Sequence, residues 1–369
     1  MRKTFAIAAL LGALLICSCA KQEPLVDESV IADIDKSYNG KEERKKEYKN
    51  DLKTYYSIFT PALTFDSERL YYGKCVYDII IDEEKINCNR QGCTHDNDRC
   101  ELNKYKKRMK TCYEGGFLCA DGNTLKLITD GEEKVLLKNA KHPKSTENEE
   151  INLGDDPDTI TCFVFLDEKT IFAVGRNYGF SYDLEKGTQG EAIEAGQANE
   201  YHIIASCGKQ GVFLQNADNE LFFVDIKNNV SEKFEDHVVG VRVSGKDVYF
   251  IQYVEGTRNL YRYDLSTGTK TFIMDDIGYY YYPFEDGSLF FTYEGNYGTL
   301  YKADPNGQIT AKLMIPGGDE ADGFRIRGIY DFSSLDDYII FVDRPGETDM
   351  IPAFIEVDKN LVETARYRF

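Results

Sequence analysis

The segment from Leu260 to Ile273 has the pattern of a strand, a tight turn and a second strand. In the first half, Leu260, Arg262 and Asp264 alternate with more apolar neighbours, which is the period of two that a half-buried strand requires. A Ser-Thr-Gly turn follows, and its Gly268 is free to adopt the positive φ that a tight turn needs. Variants of this hairpin recur along the chain, so the sequence predicts a repeated β-structure.

An aspartate opens the turn in each copy, which makes the repeat easy to align. The seven aspartates that follow an apolar strand in this way are Asp82, Asp130, Asp183, Asp225, Asp264, Asp304 and Asp358. Their spacing is about 40 residues, with longer intervals in three places. A second turn lies roughly 16 to 22 residues before each of them. Two turns per unit divide each unit into four short strands.

Antiparallel units of four strands at this period are the blades of a β-propeller. We therefore predict an all-β fold, a β-propeller of seven four-stranded blades, with six or eight blades as alternatives. Stacked β-sandwiches would need about 100 residues per domain and would not explain one pattern repeated seven times. The ring would be closed either by packing of the last blade on the first or by an added strand from residues 49–57.

The composition agrees with an all-β class and excludes some partners. The chain has 26 Tyr, 22 Phe and no Trp among 369 residues, and aromatic residues favour pleated, half-buried surfaces. Its formal net charge of −19 disfavours nucleic acid and anionic lipid surfaces, because each approach would cost electrostatic repulsion.

The N-terminus has the features of an export signal. Basic residues in Met1–Lys3 precede an apolar run over Phe5–Ile16, which is too short for a lasting membrane span. The run ends in Ile-Cys-Ser-Cys-Ala, which resembles the lipobox of bacterial lipoproteins, and this resemblance makes Cys19 the lipidated residue. Cys17 lacks the small preceding residue, and an ordinary cleaved signal is the alternative. The predicted organisation is a signal peptide at 1–18, a polar tether at 19–50 and a β-propeller domain at 51–369.

Hairpins such as Leu260–Leu265 also resemble those of TolB-like and YWTD-type propellers. The resemblance covers about residues 55 to 369 and implies the propeller fold. It implies little about function, because propellers include hydrolases, lyases, scaffolds and binding modules.

A loop rich in cysteine lies between the first two predicted blades and contains Cys88, Cys93, His95 and Cys100. It resembles a Cys-x-x-Pro-x-Cys-x-His motif, followed by a further Cys, of exported bacterial lipoproteins with propeller domains of unknown function, although Gln91 stands in place of the proline. Three thiols and an imidazole form the ligand set of a zinc site. Export instead favours disulfides, because thiols oxidise outside the cytoplasm. We expect disulfides, with bound zinc or free thiols as alternatives and no other cofactor.

Four consecutive tyrosines, Tyr279, Tyr280, Tyr281 and Tyr282, begin the first strand of the sixth predicted blade. Tyrosines at a channel mouth would suit a sugar or peptide, since each offers an apolar face with a polar tip. Alternate residues of such a strand must nevertheless pack between blades, so a core role is the competing interpretation. Cys162 and Cys207 are expected to pack as small apolar residues.

No catalytic constellation is recognisable, and no residue is assigned a catalytic role. We therefore expect an extracytoplasmic lipoprotein, lipid-anchored to the bacterial membrane or cell surface, that acts as a binding or scaffold module for a protein, peptide or glycan. A cell-envelope glycan lyase or hydrolase with a site at the propeller axis is the alternative function.

Overall fold

The computed structural model describes only part of the chain. The described residues are 63–65, 69–72, 75–78, 83–86, 110–113, 116–129, 132–138, 160, 162–175, 178–194, 202–216, 218–318, 323–332, 337–345 and 350–367. The predicted signal peptide, tether and lipidation residue Cys19 lie outside these ranges, as do Cys88, Cys93, His95 and Cys100. Lipidation and the disulfide or zinc chemistry of the loop therefore stay predictions.

The described strands form seven antiparallel sheets of four strands, each built from four strands consecutive in sequence. The first sheet contains β1 (Leu63–Phe65), β2 (Arg69–Tyr72), β3 (Cys75–Asp78) and β4 (Glu83–Ile86). The second contains β5 (Lys110–Tyr113), β6 (Gly116–Asp121), β7 (Thr124–Thr129) and β8 (Glu132–Leu137). The third contains β9 (Cys162–Phe165), β10 (Thr170–Val174), β11 (Tyr178–Asp183) and β12 (Thr188–Glu194). The fourth and fifth contain β13 (His202–Ser206), β14 (Gly211–Gln215), β15 (Leu221–Asp225) and β16 (Val230–Glu235); β17 (Val238–Ser244), β18 (Asp247–Val254), β19 (Thr257–Asp264) and β20 (Thr269–Met274). The last two contain β21 (Ile277–Pro283), β22 (Leu289–Tyr293), β23 (Asn296–Ala303) and β24 (Ile309–Met314); β25 (Arg325–Phe332), β26 (Asp337–Pro345), β27 (Met350–Asp358) and β28 (Glu363–Tyr367).

The prediction of an all-β chain made of four-stranded antiparallel units is confirmed. The predicted hairpin from Leu260 to Ile273 is formed by β19 and β20, in which Asp264 pairs with Thr269 at the turn. Among the described residues no helix has the length and apolar character that a membrane crossing needs.

The aspartates that mark the repeat stabilise the turns between the third and fourth strands. The Oδ1 atom of Asp264 accepts hydrogen bonds from the backbone N–H groups of Ser266 at 2.8 Å and Thr267 at 3.1 Å. Equivalent backbone bonds are accepted by Asp183, Asp225, Asp304 and Asp358. An aspartate is favoured here because its short side chain can satisfy the backbone of the turn that follows it. Asp82 and Asp130 lie outside the described residues.

The core lies between successive sheets, and alternate residues of one strand enter different cores. Phe163 and Phe165 of β9 pack towards the second sheet, whereas Cys162 and Val164 pack towards the fourth. Three further apolar clusters continue the series. In all, such clusters join the second to the third sheet, the third to the fourth, the fourth to the fifth, the fifth to the sixth and the sixth to the seventh. Each large buried side chain contributes about 1.5 to 3 kcal/mol by leaving water.

The first strands of neighbouring sheets contact each other in sequence order, as β13 contacts β9, β17 contacts β13, β21 contacts β17 and β25 contacts β21. Within the described part of the chain this series includes no contact of similar extent between the seventh sheet and the first. Closure of the series into a ring is therefore not shown, and the proposed strand from residues 49–57 lies outside the described residues.

Candidate functional site

The four tyrosines of β21 alternate between the two neighbouring sheets. Tyr281 is 2% exposed, and its hydroxyl donates a 2.9 Å hydrogen bond to the carbonyl oxygen of Tyr249 in the fifth sheet. Tyr282 points the other way and packs against Tyr338 of the seventh sheet, with ring centroids 5.3 Å apart. Burial raises the pKa of Tyr281. Tyr281 therefore lies in the core between the fifth and sixth sheets, whereas Tyr280 and Tyr282 both pack, partly buried, against the core between the sixth and seventh sheets.

Tyr279 forms one half of a polar cluster with Arg258, the second residue of β19. The Arg258 guanidinium lies over the Tyr279 ring, with Cζ 3.8 Å from the ring centroid, and Nη2 donates a 2.8 Å hydrogen bond to the Tyr279 hydroxyl. Nη1 forms an ion pair with Glu294 at 3.1 Å. The Arg258 side chain is mostly buried, so the cation–π contact and the ion pair compensate for its partial loss of water.

Tyr280 forms the other half with residues of the seventh sheet. Arg327 Nε donates to Asp343 Oδ1 at 2.8 Å. The positive charge of this guanidinium also acts on the Tyr280 hydroxyl. Burial raises the pKa of Tyr280, and the positive charge of Arg327 only partly opposes this effect. The Tyr280 hydroxyl is consequently protonated at neutral pH.

Tyr297 joins the two halves. Its ring meets the Tyr280 ring edge to face, with centroids 5.6 Å apart and planes at 75°. Its hydroxyl lies 3.5 Å from Arg258 Nη1, a long hydrogen bond. We call the whole group the tyrosine–arginine cluster, consisting of Arg258, Tyr279, Tyr280, Glu294, Tyr297, Arg327 and Asp343. Its two arginines and two carboxylates give a formal charge of zero.

Tyr279, Tyr280 and Arg327 lie where strand pairing is irregular, in β21 and β25, the first strands of the sixth and seventh sheets. The register of β25 shifts between Ile326 and Gly328, so Arg327 occupies the extra position of a bulge. The register of β21 shifts between Ile277 and Tyr281, and that interval contains Tyr279 and Tyr280. A bulge changes the direction of a side chain relative to regular pairing, so simple alternation does not predict the position of Arg327.

The other predicted residues do not join this cluster. Cys162 is buried between the third and fourth sheets, and Cys207 packs partly buried against the core between the fourth and fifth, as expected for small apolar residues. Burial raises the pKa of the Cys207 thiol to about 12, so it is not a reactive thiolate near neutral pH. The described residues include no group of three or more His, Cys, Asp or Glu side chains able to hold a metal ion.

Sequence reasoning missed Arg258, Glu294, Tyr297, Arg327 and Asp343. A signal for the first three was nevertheless present. Residues 253–256 are Tyr-Val-Glu-Gly and residues 293–295 are Tyr-Glu-Gly, and the residue two positions after each glycine is Arg258 or Tyr297. Aligning the turns between the second and third strands would therefore have paired these two residues.

The strand order and the cores between consecutive sheets define a β-propeller-type chain. No protein family and no curated protein matches the sequence. Among solved structures, it is similar to "KlHsv2 with loop 6CD replaced by a Gly-Ser linker" at 13% identity and a TM-score of 0.40, covering 57% of this chain and 66% of that one. It is similar to the N-terminal domain of Nup159 at 11% identity and a TM-score of 0.38, covering 54% and 57%.

A third similar structure is that of the RRP9 WD40 repeats, at 10% identity and a TM-score of 0.42, covering 64% of this chain and 76% of that one. This chain covers less than two thirds of the length of the first two structures, those of KlHsv2 and Nup159. These similarities are too remote to support a functional conclusion, and the class given above rests on the strand order and packing of this chain.

Proposed function

We propose that this chain is a lipid-anchored extracytoplasmic protein whose seven sheets close into one propeller, and that it serves as a binding or scaffold module. The ligand is a protein, peptide or glycan of the cell envelope, and it binds at the tyrosine–arginine cluster. The lipobox-like N-terminus motivates the anchor, and the five consecutive inter-sheet cores motivate the ring.

The observation that carries the binding function is the convergence of the cluster from three consecutive sheets. Arg258 comes from the fifth sheet, Tyr280 and Tyr297 from the sixth, and Arg327 from the seventh. Tyrosine and arginine are the side chains that contribute most to recognition surfaces, because both combine a large flat face with polar groups. Here they are held by one another, so little conformational entropy remains to be lost when a ligand binds.

The lipid anchor predicts a specific modification. In a bacterial host given an alkyne-labelled fatty acid, we expect the wild-type chain to be labelled and recovered with membranes. Cys19→Ala should abolish both the label and membrane recovery, because the acyl chains are attached to that residue in the lipobox pattern. Cys17→Ala is the matched control and should keep both. Labelling that survives Cys19→Ala would contradict the anchor.

Site-specific photo-crosslinking tests the binding face. Tyr253 pairs with Arg258 across the β18–β19 hairpin and is 48% exposed, so a photoreactive p-benzoylphenylalanine at this position lies beside the cluster. Phe272, on the outer strand of the same sheet, is 53% exposed and is the matched control. In cells carrying the full-length protein, we expect a discrete adduct from position 253 and none from position 272. Equal adducts, or none at position 253, would overturn this binding face.

A further inference from the structure

The tyrosine–arginine cluster contains hydroxyl groups that can donate to a ligand. The Tyr297 oxygen lies 3.5 Å from Arg258 Nη1, and the positive charge of Arg327 acts on the partly buried Tyr280 hydroxyl. A phenol that accepts from a cation keeps its own O–H for donation, and the positive charge strengthens that donation. Among the described residues, neither hydroxyl has an acceptor for this hydrogen. Each therefore has a donor to offer to a ligand.

Acceptors lie beside these donors. The Glu294 side chain is 38% exposed, and its ion pair with Arg258 uses only part of its hydrogen-bonding capacity. Asp343 accepts from Arg327 through one carboxylate oxygen. A carboxylate has about four acceptor positions, so both groups can accept further bonds. The cluster thus combines strong donors with strong acceptors at a formal charge of zero.

This combination matches a polyhydroxylated ligand better than a charged one. Each sugar hydroxyl both donates and accepts, and neighbouring hydroxyls present these functions a few ångströms apart. The C–H face of the sugar ring packs on aromatic rings, and Tyr280 and Tyr297 form a corner with their planes at 75°. An anion would meet a chain of net charge −19, and a cation would meet two arginines. A peptide in extended form would offer one donor and one acceptor per residue, spread along a line instead of around a ring.

We propose that the tyrosine–arginine cluster binds a neutral glycan, with Tyr280 and Tyr297 donating to sugar oxygens and Glu294 and Asp343 accepting from sugar hydroxyls. This assignment rests on the proposed binding function and adds the chemical class of the ligand.

Direct binding tests the proposal. Detergent-solubilised full-length protein is applied to one array that carries chitotetraose, cellotetraose, xylotetraose, mannotetraose, anionic tetragalacturonate and a set of cell-envelope peptides. We expect saturable binding to at least one neutral saccharide, followed by calorimetric titration with that saccharide. Tyr280→Phe should weaken this binding about tenfold or more, because a partly buried donor under the influence of a positive charge is lost.

The matched control is Tyr263→Phe, which removes a hydroxyl at the opposite end of β19, near the turn glycine Gly268. It should leave saccharide affinity unchanged, and both variants should keep the wild-type melting temperature. Binding to tetragalacturonate alone, or equal affinity for wild type and Tyr280→Phe, would refute glycan recognition at this cluster. Peptide binding without saccharide binding, together with the adduct at position 253, would refute the glycan but keep the binding function. Absence of both array binding and the adduct would refute both proposals.

Discussion

Replacing Phe250 by alanine is expected to lower the free energy of unfolding by about 3 to 5 kcal/mol. Phe250 is fully buried in the core between the fourth and fifth sheets. Its ring stacks on Tyr261 with centroids 5.7 Å apart and meets the edge of Phe234 at 5.9 Å. Deleting it removes these contacts and leaves a cavity that two rigid sheets cannot fill. Urea denaturation followed by circular dichroism measures the change, since the chain has no tryptophan.

Phe272→Ala is the matched control, because Phe272 lies in the same sheet but is 53% exposed. Its ring touches Tyr261 only at the edge, with centroids 5.8 Å apart. We expect a loss of under about 1 kcal/mol, as for most exposed positions. Similar losses for the two variants would contradict the assignment of the core to the space between sheets.

Gly298→Ala is expected to destabilise the fold by about 1 to 3 kcal/mol. Gly298 is buried in β23, and a Cβ atom there would overlap the carbonyl oxygen of Gly318. The two backbones are also held together by a hydrogen bond of 2.9 Å from the N–H of Ile315 to the carbonyl of Gly298. A backbone segment cannot move aside as a flexible side chain can, so the strain reaches the packing of the sixth sheet. Urea denaturation followed by circular dichroism, as for Phe250→Ala, measures this loss of stability.

Gly240→Ala is the corresponding control in β17. The nearest atom to a Cβ at Gly240 is the Cε1 of Tyr281 at 3.8 Å, which is an ordinary van der Waals distance. This variant should be neutral, or stabilised by about 0.4 to 1 kcal/mol, because alanine restricts the unfolded chain. If the Gly298→Ala and Gly240→Ala proteins were equally stable, the close approach of Gly298 to Gly318 would not exclude a side chain at position 298.

The repeat was predictable because the signals that define it are local. Asp264 and its counterparts satisfy backbone groups only two to four residues away, so their position in the sequence identifies the turn without knowledge of the rest of the fold. Alternation along a strand is equally local, and it favoured a core role for alternate residues of the four-tyrosine run, of which Tyr281 is buried.

Most of the candidate site could not be predicted in the same way. Arg327 comes near Tyr280 only because it occupies a bulge in β25 and because the sixth and seventh sheets pack side by side. Arg258, near the start of β19, and Glu294, in the turn after β22, belong to different sheets and form an ion pair only after those sheets have docked. Neither the bulge nor the docking leaves a clear pattern in one sequence.

The sequence by itself determined the all-β class, the four-stranded unit and the turns that separate the strands, since each depends on interactions within a few residues or along one strand. The tertiary structure alone decided which polar side chains converge. It divided Tyr279, Tyr280, Tyr281 and Tyr282 between two neighbouring sheets, buried Tyr281, and placed Tyr279 beside Arg258 and Tyr280 within the influence of the Arg327 charge. The physical reason is that a strand's period specifies which residues share a face, whereas the partner of that face is set by the packing of one sheet against the next.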